Sequence, residues 1–383
     1  MNEINKTNAT NELKPGTTIS RRDFVRLAAA AGVTATGGYV LFIHAPWLDY
    51  EQQVQQTWSR SLSKELTMSE QMRDLVHAAT LAVNGHNTQP WLFAIQEKAI
   101  EIHPDYTRRL PVVDPADRAL WISLGCALEN LTVAARAAGY APEVVYPDNQ
   151  DFIRVNLTAD TPLPSPLFEA IPWRQCTRSE YDGQLVGVGE LDRMQNLPLE
   201  PGVGLRFVAK AAELETVVEY VNRGNLAQYA DKAFVNELIE WLRFTKNEAL
   251  SSGDGLYSAC SGNPQVPRWL GRMFVKGAKP QQQADSDAAK LRSSAGAVVI
   301  ASDTDDRATW VRLGQVYERL ALQMTTLNIK SAFLNQPIEV KDLRPQFQSA
   351  MGLGAALPQL LIRFGYAQAM PRSLRRPLEE VII

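Results

Sequence analysis

Residues 117–131 read DRALWISLGCALENL, and residues 306–320 read DRATWVRLGQVYERL. Aligned without a gap, the two stretches share Asp, Arg, Ala, Trp, Leu, Gly, Glu and Leu, eight of fifteen positions. Trp121, Leu124, Leu128 and Leu131 recur at helical spacing, as do Trp310, Leu313, Tyr317 and Leu320. Each stretch therefore predicts a helix with one apolar face. One helix type used twice is the simpler explanation. Two tryptophans and two glycines in register favour the duplication of a whole unit.

The flanks extend the comparison. Before the second copy, AGAVVIAS (295–302) reads as a buried strand. After it, SAFLNQPIE (331–339) reads as a loop and PQLLIRFGYA (358–367) as another strand. Upstream of the first copy, Thr67 and Glu70 have the spacing of a capping box. Met72, Leu75, Val76 and Ala79 follow on one helical face, and Asn84-Gly85 stops the helix near Val83. A short hairpin over 93–95 and 100–103 comes next. The chain thus divides into two α+β halves, 67–160 and 165–383, joined at PLPSP (162–166). The second half carries an insertion over 212–290. Its first part, 212–250, reads as helical. Residues 251–290 are rich in Gly, Pro, Ser and Gln, a composition that suits neither a packed helix nor a strand. A loop of this length is usually a functional lid or disordered. Tyr257, Trp269 and Phe274 are its candidates for covering a flat ligand.

Bulk composition excludes several functions. The 383 residues carry a net charge of −3, so no basic surplus exists to neutralise a nucleic-acid backbone. Cys126, Cys176 and Cys260 form no C-x-x-C pair, which argues against structural zinc and a disulfide framework. Two of them could still pair in an oxidising compartment. His77, His86 and His103 match no metal-ligand spacing. The N-terminus is distinctive. SRRDFVR (20–26) follows a polar tail and precedes an uncharged run over 27–48. It resembles a twin-arginine export signal. Residues 1–48 are then a signal or, because Ala45-Pro46 is a poor cleavage site, a retained membrane anchor. The expected partner is the twin-arginine export machinery. The expected location is the periplasm or the outer face of the inner membrane. Residues 49–66, polar and Gln/Ser-rich, read as a linker.

One stretch is too polar for a core and too short for a linker: NGHNTQPW (84–91), at a helix C-terminus. HNTQPW followed by an apolar strand resembles the flavin-binding motif of the nitroreductase superfamily, A-P-S-x-x-N-x-Q-P-W. The double length resembles its Acg-like branch. IPWRQCTR (171–178) is similar to the family's R-x-S-x-R, with Cys176 in place of the serine. QPIE (336–339) is similar to its loop beside the flavin ring. Gly365-Tyr366 and RSLRRPLEEVI (372–382) are similar to its C-terminal phosphate arginine and final strand. The first motif is fairly specific, and the others gain weight from their order. By itself an Arg-x-x-x-Arg pair is usually a solvated helix face, and Pro90 and Trp91 are more often core packing than ligands.

The resemblance implies a nitroreductase-like α+β fold whose two related halves form a fused pseudo-dimer within a monomer. It implies one FMN. Asn84, Gly85 and Asn87 would meet the pyrimidine edge. Arg174, Cys176 and Arg178, with Arg375 or Arg376, would hold the phosphate, the first two arginines converging if they share a helical turn. Pro337, Ile338 and Glu339 would lie by the ring. The first half has the amide loop without the arginines, and the second half the reverse. One complete site and one lost site are therefore expected. The implied activity is two-electron reduction of a small flat acceptor such as a nitroaromatic or a quinone, with no catalytic side chain singled out. Because nicotinamide donors are not expected outside the cytoplasm, the alternative is an exported flavin-binding or storage protein.

Overall fold

The computed structural model describes residues 49–59, 67–146 and 150–383. The expected export segment and much of the expected linker lie outside them. No described helix is long and apolar enough to cross a membrane.

The duplication is visible as topology. Helix α1 (Tyr50–Thr57) and helix α2 (Met68–Thr80) lead into β1 (Trp91–Gln96) and β2 (Ala99–Pro104). Thr67 and Glu70 close the capping box at the start of α2. Helix α3 (Arg118–Ala138) follows, then β3 (Tyr140–Val145) and β4 (Ile153–Ala159). These strands form an antiparallel sheet in the order β1-β2-β4-β3. In the second half β5 (Val203–Val208) is the first strand. Helices α4 (Ala211–Ala230), α5 (Lys232–Trp241), α6 (Lys246–Ser252), α7 (Arg268–Lys276) and α8 (Pro280–Arg292) then precede β8 (Gly296–Ser302). Two-residue strands β6 (Leu242–Arg243) and β7 (Leu256–Tyr257) pair within this insertion. Helix α9 (Arg307–Thr326), β9 (Lys330–Phe333), the single turn α10 (Gln336–Glu339) and β10 (Leu357–Gly365) complete the half. Its sheet runs β5-β8-β10-β9, again antiparallel. Both sheets thus have first, second, fourth and third strands side by side, with the long helix after the second. Where the first half turns from strand one to strand two at Glu97-Lys98, the second inserts residues 209–295.

The two echoed helices pack on each other at their glycines. A Cβ on Gly125 would lie 2.0 Å from the Val311 carbonyl oxygen, and one on Gly314 would lie 2.1 Å from that of Ile122. Only hydrogen at both positions permits the backbones to approach so closely. Leu124, Leu128, Leu131, Leu313 and Leu320 are fully buried around the crossing. The Cys126 thiol donates to the Gly314 carbonyl at 3.3 Å.

Four expectations need correction. Residues 50–57, assigned to a linker, are helix α1, held by buried Tyr50 and Val54. The SAF of 331–333 belongs to strand β9, and QPIE is a helical turn. Residues 251–290 are mostly folded, because Pro267 and Pro280 start helices rather than break them. The expected final strand is a helical turn, Leu378–Val381, after which Ile382 bridges Phe93 on the first sheet.

The crossing yields a direct test. Gly125→Ala must push two backbones apart, so it should cost about 3 kcal/mol or more in urea unfolding. Gly189→Ala, in a helix with open space around it, should be neutral or stabilising by up to about 1 kcal/mol.

Candidate functional site

A small, arginine-lined pocket opens beside a cavity of about 590 Å³, and Val83, Asn84 and Arg178 border both. The loop 84–91 sits at the junction. His86, Asn87 and Gln89 have φ of 48°, 55° and 53°, a left-handed conformation that non-glycine residues adopt only when their surroundings hold them. Amide hydrogen bonds provide that hold. Asn87 Nδ2 donates to the carbonyls of Gly255 (3.1 Å) and Leu374 (3.2 Å). Gln89 Nε2 donates to Gly253 O at 2.9 Å, and its Oε1 accepts from Arg376 N at 2.8 Å. Asn84 Oδ1 accepts from Gln89 N at 2.9 Å. The loop is thereby a clasp joining the insertion to the C-terminal strap over 366–377. Asn84 Nδ2 also donates, to Ala82 O at 3.2 Å, so both asparagines are engaged by the protein; Asn87 borders the small pocket, and Asn84 and Gly85 line the large cavity.

The arginines converge by an unexpected route. Residues 174–178 are extended, not helical: Arg174 has ψ 135°, and Cys176 bridges Ser331 of β9. Alternation along an extended chain puts Arg174, Cys176 and Arg178 on one face, and all three line the small pocket. Arg372 and Arg375 enter it from the strap. Among the described residues, no Asp or Glu lines it.

These guanidiniums differ in what they already hold. Arg375 donates to Thr80 O (2.8 Å), Leu81 O (3.3 Å), Ala82 O (3.2 Å) and Asn87 Oδ1 (2.9 Å). Arg174 donates to Leu81 O at 2.8 Å and pairs with the fully buried Glu318 at 3.2 Å. Both therefore cap the carbonyl end of α2, where the helix dipole favours cations. Arg372 donates to Pro172 O. The half-buried Arg178 guanidinium has neither hydrogen bond nor ion pair among the described residues. Burial, then the neighbouring Arg174, pushes Arg375 down to about 9 and Arg372 down to about 10. Both remain charged at neutral pH, and an anion in the pocket would relieve the repulsion. Arg376 lies outside both pockets, 3.5 Å from Asp105 and 3.5 Å from Glu380.

The large cavity runs from this junction between α3, α9 and the inserted helices. Ile122 and Ser123 of α3, Tyr317 of α9 and Phe274 and Val275 of α7 line it, with Ala278. Of the QPIE residues, Gln336 and Glu339 line it, while Pro337 and Ile338 are buried in the second-half core. Burial raises the Glu339 carboxyl, which accepts from Gln228 Nε2 at 2.7 Å. Asp114 and Arg118 also line this wall. The expected aromatic cover divides: Phe274 faces the cavity, Tyr257 is buried at the small pocket, and Trp269 is 68% exposed and lines neither.

Sequence reasoning missed Arg372, Trp58 and Arg118. Arg118 was accessible, being part of the echoed helix. Arg372 opens the stretch RSLRRPLEEVI (372–382), three places before Arg375. Trp58 gave no signal, since its stretch is Gln/Ser-rich.

His86 supplies a pH test. Its Nδ1 is buried without a hydrogen-bond partner among the described residues, and burial, then Arg178, lowers the imidazole from 6.5 to about 4. The unfolded chain takes up this proton first as pH falls. The neutral ring's contribution is therefore complete above pH 6.5 and is lost as pH falls towards 4. His86→Gln should flatten that part of the stability profile. Urea unfolding of both proteins across the window measures it, and parallel profiles would refute it.

No family model matches the chain. It is similar to the Mycobacterium tuberculosis H37Rv protein named "Putative NAD(P)H nitroreductase Rv3131", with 26% identity over 82% of this chain and 91% of the relative. It is also similar to "Putative NAD(P)H nitroreductase acg" of that organism, with 23% identity over 81% of this chain and 94% of the relative. Among solved structures, an FMN-dependent nitroreductase of Mycobacterium smegmatis in complex with NADPH overlaps 56% of this chain and 96% of its own, with 13% identity and a TM-score of 0.37. A nitroreductase with bound FMN from Desulfitobacterium hafniense overlaps 58% of this chain and 98% of its own, with 10% identity and a TM-score of 0.35. The chain is thus similar over four-fifths of its length to mycobacterial proteins named as nitroreductases.

Proposed function

We propose that the protein is an FMN-dependent oxidoreductase of nitroreductase type, binding one flavin per chain and reducing a flat acceptor such as a quinone or nitroaromatic. The observation that carries this reading is the pairing of an arginine-lined pocket, with no acidic side chain in its described lining, with a larger, partly apolar cavity through a shared wall. A phosphate dianion matches the first chamber in charge. The second, about 590 Å³, falls in the usual small-molecule range of roughly 300–1,000 Å³. The names of the mycobacterial relatives and the FMN in the nitroreductase structures agree with it.

When bound, the flavin supplies the electron chemistry, and the protein binds and orients it. Arg178 and Arg372 retain unused donors for the phosphate, whereas Arg174 and Arg375 are committed to the α2 carbonyls and contribute charge. Asn84 and Gly85 line the passage between chambers. Glu339, its carboxyl raised by burial and held by Gln228 Nε2, lines the same cavity. Phe274 and Val275 exclude water from its far wall. We further propose that the chain acts as a monomer, exported by the twin-arginine route to the periplasm or the outer face of the inner membrane. The motif SRRDFVR (20–26) motivates this, and loss of export on Arg21→Lys/Arg22→Lys, followed by cell fractionation, tests it.

Two measurements test the central reading. Flavin released from purified holoprotein should amount to one equivalent per chain. Arg178→Ala should weaken FMN binding by about tenfold or more, the value of one charge-assisted hydrogen bond, and leave riboflavin binding nearly unchanged. Equal losses for both ligands would place Arg178 elsewhere. The storage reading is separated kinetically. Dithionite-reduced holoprotein mixed with menadione without oxygen should reoxidise within seconds, and a flavin that stays reduced for many minutes would favour storage.

A further inference from the structure

Helix α1 ends at Trp58, whose indole is 7% exposed and forms part of the wall of the arginine pocket. Three guanidiniums gather on this ring. The Cζ atoms of Arg372, Arg375 and Arg174 lie 4.8, 5.0 and 5.9 Å from its centroid. Its Nε1 donates to Ser373 O at 2.9 Å. Eight residues earlier Tyr50 donates to Arg372 O at 2.7 Å, and its ring lies 4.9 Å from that of Tyr257. The helix therefore grips the arginine-bearing strap at two successive carbonyls, Arg372 and Ser373, and places an aromatic ring among three like charges.

We propose that Trp58 is a positioning residue of the anion site: its π-face gathers Arg174, Arg372 and Arg375 into one pocket, so that the N-terminal helix is part of the phosphate grip. This rests on the FMN reading only for the name of the anion.

The need for such a device follows from the charges. Three guanidiniums share one buried carboxylate, Glu318, which faces Arg174. The carbonyls at the end of α2 take up Arg174 and Arg375 but not Arg372. An indole has a negative face, and cation–π attraction strengthens where water is excluded. It attracts the cations without neutralising them. A carboxylate in its place would hold the arginines equally close but would also repel the incoming anion. Without the ring, Arg372 keeps, among the described residues, only the Pro172 carbonyl and the exposed face of Trp173, 5.4 Å away, against the repulsion of Arg174 and Arg375. Trp58 also belongs to the core that surrounds α3 and α9, so its loss costs stability as well. A loss confined to anion binding is what distinguishes positioning of the arginines from packing.

The test uses the full chain carrying Trp58→Leu or Trp58→Phe, titrated with FMN, riboflavin and inorganic phosphate. Trp58→Leu should weaken FMN binding by about tenfold, the scale of losing desolvated cation–π contacts, with riboflavin affinity nearly constant. Trp58→Phe, which keeps an aromatic face but loses the Ser373 hydrogen bond, should recover most of the FMN affinity. Equal losses for FMN and riboflavin, unchanged FMN affinity in Trp58→Leu, or failure of Trp58→Phe to recover it would each overturn the proposal. If the wild type binds neither flavin, the FMN reading falls. Thermal stabilisation by phosphate then decides: its loss in Trp58→Leu alone supports the role of the indole, and its retention in both variants overturns it.

Discussion

The close contact between Gly125 and Gly314 governs the molecule. At each glycine a single methyl group would run into backbone of the other helix, so the α3–α9 separation has almost no tolerance. Each helix joins the second and third strands of its own sheet. Locking the helices together therefore fixes one sheet relative to the other. The walls of the large cavity follow, since Ile122 and Ser123 of α3 and Tyr317 of α9 face it. A site built between halves is only as well defined as that crossing.

From this symmetric frame the halves diverge by substitution of partners. Glu129 and Glu318 occupy equivalent echo positions, and both are buried. Glu318 faces Arg174 at the small pocket and accepts from Val83 N at 3.1 Å. Glu129 is matched instead by Arg319, at 2.7 Å, with Glu200 completing the cluster. Arg118 and Arg307 are also equivalent. The first is buried and donates to Gln359 O at 2.5 Å, while the second pairs with Asp151 at the surface. The insertion over 209–295 then covers one side only. The same buried glutamate thus meets Arg174 of the small pocket in one half and the doubly paired Arg319 in the other.

The concentration of charge beside α2 is tolerable because its compensation is divided. Helix carbonyls, one buried carboxylate and the face of an indole each hold part of it. None of them cancels the charge of the pocket, whose described lining holds Arg174, Arg178, Arg372 and Arg375 and no carboxylate. An ordinary set of salt bridges would have stabilised the same arginines and abolished the site.

Much of the framework was determined by local chemistry that the sequence carries openly. The capping box at Thr67 and Glu70, the hairpin before α3, the buried strand over 296–302 and the paired echo with its glycines depend on neighbours along the chain or on strict periodicity. The convergence of Arg174 and Arg178 was legible as a motif but not as geometry, because the pairing of Cys176 with Ser331 makes that segment extended. The insertion was misread for a related reason: Pro267 and Pro280 disrupt a helix in its interior but begin one at its first turn, and position within the helix is not a compositional property. Which arginine is free was invisible. Arg375 is spent on carbonyls almost 300 residues away in the chain, Arg178 is not, and Trp58 joins the pocket from a stretch with no motif. Hydrogen-bond donors are finite, and only the tertiary structure decided which of them the protein uses on itself.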